Sequence, residues 1–421
     1  MVDKFWMSLR WTDVASMWFP RSTLYAAIFF ALSACSTITA HHPVPASFSS
    51  EAIVTGFSEK IRFWADEAPA NTLELITERI TAYRAANADY FLAHNVYPPL
   101  NYLAISGGAN DGAFGAGLLS GWSESGTRPD FELVTGVSAG AIIAPFVFIG
   151  PKYDYKLRDL FTKTASNGIF ESNMFSVLDA IITGGLSVTN TKPLAKKIEE
   201  HFTQEVLNEV AAEHRKGKRL FISTTNVEAQ RGVIWDIGAI ANSGSPNALK
   251  LFRQILLASA SIPGIFQPVF IDVQVGDKHY NEIHADGGVV SPVFVYPLKI
   301  QRSVIEEFLR YHLERHLYVV SNNKITPEYQ DLQPSFFTLT RRAIETLSKY
   351  HGIGAIYRLY IAAMRDGIDY NLIYIPESFS AESKELFDPN YMSKLFDVGY
   401  AMGKQSRTIW LKKPPGVDYQ Q

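Results

Sequence analysis

The chain has 421 residues, 39 Lys plus Arg against 42 Asp plus Glu, 47% apolar and 19% charged residues, and a single Cys. This apolar content, with only 21 Pro and 28 Gly, excludes a disordered or collagen-like chain, and a net charge of −3 leaves no electrostatic footprint for nucleic acid. One cysteine can neither close an intrachain disulfide nor build a thiolate zinc site, so a globular, enzyme-sized chain without such staples remains.

The amino terminus carries Lys4, Arg10 and Arg21 in a mixed polar stretch, followed by the uncharged run Leu24–Leu32. A membrane-spanning helix needs about 20 apolar residues, so this run fits the apolar region of a secretory signal rather than a span. Leu32-Ser33-Ala34-Cys35 then places the protein's sole cysteine after small residues. The tetrapeptide resembles the bacterial lipobox, which implies lipidation of Cys35, a signal peptide over 1–34 and a lipid-anchored protein of the bacterial cell envelope. Ser36 after the cysteine points that expectation to the outer membrane, facing the periplasm. Residues 35–50, rich in Ser, Thr and Pro, read as a tether.

Next come apolar residues at helical spacing over Ser58–Ala68 and Leu73–Asn87, the second opened by Asn71-Thr72-Leu73-Glu74 as in a capping box. Residues 51–98 are therefore expected to form a helical extension. From Asn101 the pattern changes. Tyr102–Ile105 is a short apolar run, a Gly-rich turn follows, Ala113–Trp122 has helical spacing, and Phe131-Glu132-Leu133-Val134 is a second short strand candidate, which makes a βαβ unit. Further strands are predicted at Arg219–Thr224, Gly232–Asp236, Val269–Val275, His279–Ala285, Leu317–Ser321 and Asn371–Ile375, mostly separated by helical stretches. The pair joined by Gly276-Asp277-Lys278 reads as a hairpin, so the sheet is expected to be mixed. The fold class is α/β: three layers, α/β/α, around a central, mainly parallel sheet.

Three segments could do chemistry. Gly136-Val137-Ser138-Ala139-Gly140 matches G-x-S-x-G between a predicted strand and a predicted helix, the setting of a nucleophile elbow. There the flanking glycines Gly136 and Gly140 permit a sharp turn and close backbone approach, and the following helix directs free N–H groups at developing oxyanion charge. Upstream, Ser106-Gly107-Gly108-Ala109-Asn110-Asp111-Gly112 is a second strand-to-helix turn, and a right-handed crossover places both turns on one edge of the sheet. The third is Asp286-Gly287-Gly288 at a predicted strand end.

A Gly-rich turn, a G-x-S-x-G elbow and an Asp-Gly-Gly in this order resemble the patatin-like phospholipase family. Leu256–Gly264 with Phe266-Gln267-Pro268-Val269 is similar to that family's segment ahead of its Asp turn, and the resemblance covers roughly residues 99–300. It implies a Ser-Asp dyad cleaving acyl esters of membrane lipids. Ser138 would be the nucleophile and Asp286 the proton acceptor, with Gly287 and Gly288 shaping the turn. Gly107, Gly108, Ala109 and Ala139 would supply oxyanion N–H groups, and neither metal nor organic cofactor would be needed. This sequence departs from the family turn, Gly-Gly-Gly-x-Arg/Lys-Gly, at two places: Ala109 stands for the third glycine and Asp111 for the basic residue. The loss of that positive charge keeps open a catalytically weak, lipid-binding lipoprotein.

A Ser-His-Asp esterase is the other alternative, since His284, His312, His316 and His351 are present. None has a motif around it: His312 and His316 sit at i, i+4 in what reads as a charged helix, and His351 precedes Gly352 as a helix C-terminal cation would. Residues 99–300 are taken as the catalytic core and 301–421 as the C-terminal part of the same domain.

Overall fold

The computed structural model describes residues 41–69, 71–163, 191–295, 313–385, 387–405 and 408–417. The chain divides into two units, Met1–Pro43 and Val44–Gln421. The leader and Cys35 lie outside the described residues, as does His312. In chain order the second unit contains β1 (Ile53–Val54), β2 (Arg62–Trp64), α1 (Thr72–Ala86), α2 (Ala88–His94), β3 (Leu100–Ile105), α3 (Gly112–Glu124), β4 (Leu133–Gly136), α4 (Ala139–Ile149) and α5 (Asp154–Thr162). It continues with α6 (Lys192–His201), α7 (Gln204–Arg215), β5 (Arg219–Asn226), β6 (Arg231–Asp236), α8 (Ile237–Asn242), α9 (Ala248–Ser259), β7 (Val269–Val275) and β8 (Lys278–Asp286). Last come β9 (Arg315–Ser321), α10 (Phe336–Arg365), β10 (Asp369–Tyr374) and α11 (Pro389–Lys404).

The ten strands among the described residues join one mixed sheet in the order β1-β7-β8-β5-β4-β3-β9-β10, with β6 also on β5 and β2 on β6. Strands β5, β4, β3, β9 and β10 run parallel, and β1, β7 and β8 form an antiparallel flank. Alternation along the parallel strands divides the core between the two faces. Leu103, Ile105, Val134, Leu220, Ile222 and Val320 pack with α3, α4, α9 and α11. Tyr102, Ala104, Leu133, Leu317 and Val319 pack with α10 and Tyr83 of α1. The result is the expected three-layer α/β/α arrangement.

The register on β5 positions the site. Strand β6 pairs with Phe221–Asn226 along one edge of β5, so β4 and β8 must share the other. There β4 ends with Gly136 opposite Ile222, and β8 enters antiparallel with Asp286 opposite Thr224. The end of β8 thus continues the line that β4 leaves off, and Asp286 arrives beside the turn that carries Ser138. Helices α3 and α11 touch backbone to backbone through glycine: a Cβ at Gly117 would stand 2.0 Å from the Phe396 carbonyl oxygen, and one at Gly403 2.1 Å from that of Leu118.

Three expectations are corrected. The Ser58–Ala68 segment is a 3-10 turn (Glu59–Ile61) followed by β2. Arg62 pairs with Trp235 and Trp64 with Val233 of β6, and these ladder bonds outweigh a weak helical period in so short a window. His316 lies on β9, where inward and outward residues alternate, rather than in a charged helix. His351 falls in the middle of α10, which runs on through Gly352 and Gly354.

Candidate active site

Ser138 sits between β4 and α4 with φ 54° and ψ −122°, a left-handed conformation costing about 1–3 kcal/mol for a residue with a side chain. The surroundings hold it there. A Cβ on Gly136 would meet the Gly140 carbonyl at 2.4 Å, and one on Gly140 would meet that of Ile105 at 2.4 Å, so both motif glycines answer to close backbone approach. The Ser138 N–H donates to Ser259 Oγ at 3.0 Å, and the Ser259 hydroxyl donates to the Ser223 carbonyl at 2.8 Å. At the same end of α9, the Ser261 carbonyl accepts the Asp286 N–H at 2.9 Å. The Ser259–Ser261 segment therefore holds the serine and aspartate turns against each other. Its small residues carry no catalytic motif, and Ser259 as a positioning residue was not legible in the sequence.

Asp286 is buried, and its carboxylate accepts the Gly288 N–H at 2.7 Å. Burial pushes this carboxyl up to about 6, while the nearby Ser138 hydroxyl and the Gly288 N–H act in the opposite direction. Gly287 is obligatory here, since a Cβ would stand 2.4 Å from the Ser223 carbonyl oxygen.

The Gly-rich turn lies against the serine: a Cβ on Gly107 would come within 3.1 Å of Ser138 Cβ. Gly107 itself donates its N–H to the Pro292 carbonyl at 3.0 Å. Its place in the turn is steric, and it is corrected out of the oxyanion donor set. Ala109 opens a 3-10 turn and Ala139 opens α4; the first amides of a helix have no intrahelical acceptor. Both residues line the same apolar cavity as Ser138, a slot of about 70 Å³ walled by Ile142, Phe161 and Phe266. Ala109 has φ 49°, so the backbone keeps a glycine conformation where this chain has alanine.

The turn is clamped by residues far along the chain. Asn322, buried after β9, donates its main-chain N–H to Ser106 Oγ and its side-chain amide to the Ser106 carbonyl, both at 2.8 Å. It also accepts the Gly115 N–H at 2.9 Å. The Asn110 amide donates to Ser383 Oγ at 2.7 Å and accepts the Phe387 N–H at 2.6 Å. Asp111, in place of a basic residue, accepts the Tyr391 hydroxyl of α11 at 2.5 Å. Burial raises its carboxyl to about 6, with the tyrosine hydrogen bond opposing.

None of the described histidines is offered to the serine. His284 is fully buried; Nδ1 meets Thr224 Oγ1 at 2.9 Å and Nε2 meets Glu282 at 3.0 Å. Because the Glu282 carboxylate only accepts, Nε2–H donates to it, and Thr224 Oγ1, which itself accepts the Trp235 indole N–H at 2.8 Å, gives its proton to Nδ1 of the neutral ring. Burial lowers the His284 pKa. His316 lies between Glu314 and Asp369 at the opposite end of the parallel strands, and His351 is part of α10, where burial lowers its pKa. Among the described residues no cluster of His, Cys, Asp and Glu could hold a metal ion.

No curated protein matches the sequence. Three solved structures are similar in part: VipD from Legionella pneumophila (13% identity, 74% of this chain and 67% of that one, TM-score 0.36), human GIVD cytosolic phospholipase A2 (9%, 76% and 56%, 0.33) and the type III effector protein ExoU (12%, 74% and 54%, 0.30). This chain thus spans little more than half the length of the last two. Residues 103–299, which hold the Gly-rich turn, the elbow and the Asp-Gly-Gly turn, match the family model described as patatin-like phospholipase. The chain carries a patatin-like phospholipase domain.

Proposed function

We propose that the protein is a lipid acyl hydrolase in which Ser138 is the nucleophile and Asp286 the base. The observation that carries this reading is that the register on β5 sets the buried Asp286 carboxylate beside the turn that holds Ser138, whose hydroxyl acts to lower the Asp286 pKa, while both ring nitrogens of His284 are occupied elsewhere. In the reaction, Ser138 Oγ attacks the ester carbonyl carbon as its proton passes to Asp286. The N–H groups of Gly108, Ala109 and Ala139 hold the oxyanion. Collapse of the tetrahedral intermediate expels the alcohol, which takes the proton back from Asp286. Water then opens the acyl-serine, with Asp286 again the base and Ser138 the leaving group. The apolar slot beside Ser138 suits a hydrocarbon chain. Purified protein is expected to release fatty acid from phospholipid vesicles, and Ser138→Ala to reduce that release by at least about 10³-fold with an unchanged circular dichroism spectrum. Release by the variant at more than a few per cent of the wild-type rate assigns the chemistry to another residue.

The same reading includes attachment to the bacterial envelope membrane by acyl chains on Cys35, the sole cysteine, at the end of a short apolar run. Stable anchoring by lipid takes more than one chain. Cells expressing the protein and fed radioactive palmitate should label it, and Cys35→Ser should remove the label; a labelled variant refutes the anchor.

A further inference from the structure

Helix α10 has 30 residues, about 45 Å of helix, and its two faces differ. Ala355, Ile356, Leu359 and Ala363 are buried against the sheet, which fixes the C-terminal half to the domain. The opposite face is apolar too. Phe336, Leu347, Tyr350, Ile361 and Met364 are all exposed, Phe336 by 77%, Leu347 by 71% and Ile361 by 64%. At the helical repeat these five positions fall within an arc of about 100°, so they form one stripe along the whole helix. No helix among the described residues is long and apolar enough to cross a membrane.

Charge and placement say what covers this stripe. The helix carries Arg341, Arg342, Lys349, Arg358 and Arg365 against the single acidic residue Glu345. Arg341 and Arg342 face Glu345, Lys349 faces Glu328, and Arg365 faces Asp366, and an excess of positive charge remains. A second copy of the chain docked on this stripe would set like charges side by side, whereas an anionic lipid surface complements them. The helix also begins at the right edge. Strand β9 ends there in the Asn322 clamp on the Gly-rich turn, and Lys349, midway along α10, donates to the Thr326 carbonyl and to Glu328 in the loop that follows β9, at 2.9 and 2.7 Å. The exposed first half of α10 therefore extends beyond the sheet edge that carries Ser138.

We propose that the outer face of α10 seats the protein on an anionic lipid surface, apolar stripe inserted and cations at the headgroups. The seat deepens the reading of a lipid substrate and rests on it for its purpose, and it acts independently of acyl chains on Cys35. The test uses the full chain carrying Cys35→Ser, so that no lipid anchor contributes. Its sedimentation with vesicles of phosphatidylcholine and phosphatidylglycerol is compared with phosphatidylcholine alone, and turnover of a soluble p-nitrophenyl ester is measured in parallel. Binding is expected to favour the anionic vesicles and to weaken with salt. Leu347→Asp with Ile361→Asp should lower it by about tenfold or more, because each side chain's burial is lost, with melting and soluble-ester turnover unchanged. Arg358→Gln should weaken binding to the anionic vesicles only. The proposal is overturned if the parent protein ignores anionic vesicles, if the double variant binds as the parent does, or if sedimentation velocity shows a parent dimer that the double variant dissolves. Binding as expected without release of fatty acid would sink the proposed activity and leave the seat standing.

Discussion

Asp286→Asn is expected to lower kcat/KM on a soluble ester by about 10³-fold or more, because the amide cannot take the Ser138 proton. Stability should move the other way. With the folded-state pKa raised to about 6 from 3.8, the native protein holds a proton that the unfolded chain has released between those values. This group's contribution is therefore fully present below about pH 4 and is lost as pH rises through about 6. At neutral pH the buried carboxylate costs on the order of 2–3 kcal/mol, which Asn relieves, so the variant should melt higher at pH 7.5. Asp111, shifted in the same direction, leaves part of the slope in place. In the wild type, kcat/KM should rise with pH around an apparent pKa near 6, since only ionised Asp286 accepts a proton. A variant melting below the wild type at pH 7.5, or a rate flat from pH 5 to 8, contradicts this assignment.

The second large effect concerns the buried pair that ties β2 to β8, the strand that ends in Asp286. Arg62 of β2 donates to both oxygens of Glu282 on β8, at 2.5 and 3.0 Å, and to the Ala52 carbonyl at 2.7 Å. Burial pushes the Glu282 carboxyl up, but hydrogen bonds from His284 and Arg62 together with the Arg62 charge hold it at about 2. Arg62→Met would leave a carboxylate of 2% side-chain exposure without its cation, at a cost of about 3–5 kcal/mol in denaturant unfolding. Adding Glu282→Gln should restore part of that loss, because it removes the uncompensated charge. For wild type, a depressed pKa means stability that is present above about pH 4.5 and is lost as pH falls toward 2. Equal stabilities for wild type and Arg62→Met would show the pair to be dispensable.

Much of the site was legible because its signals are local. Strand, Gly-rich turn and helix follow each other within residues 100–124, and the elbow repeats that grammar within residues 133–149, so crossover handedness alone puts both turns on one edge. The hairpin at Gly276-Asp277 was legible from turn chemistry, and Gly276 has φ 56°. What was not legible depends on distant partners. Strand β2 has three residues and exists through β6, some 170 positions on. The Asp111–Tyr391 bond and the Asn322 clamp join residues 280 and 216 positions apart, so no local pattern could forecast why an acid is tolerated where a basic residue was expected. His351 was misread because a glycine after a cationic residue signals a helix end, whereas a Cβ at Gly352 would meet nothing within 4 Å and the helix continues.

Direct attack by a serine that shares its proton with an aspartate is tested most directly by trapping the nucleophile. Purified protein treated with a fluorophosphonate at pH 7.5 should gain one adduct in intact mass, and peptide mapping should place it on Ser138. The adduct should be absent from Ser138→Ala and form at least about 10²-fold more slowly in Asp286→Asn. An adduct on a different serine, or undiminished labelling of Asp286→Asn, would contradict the dyad.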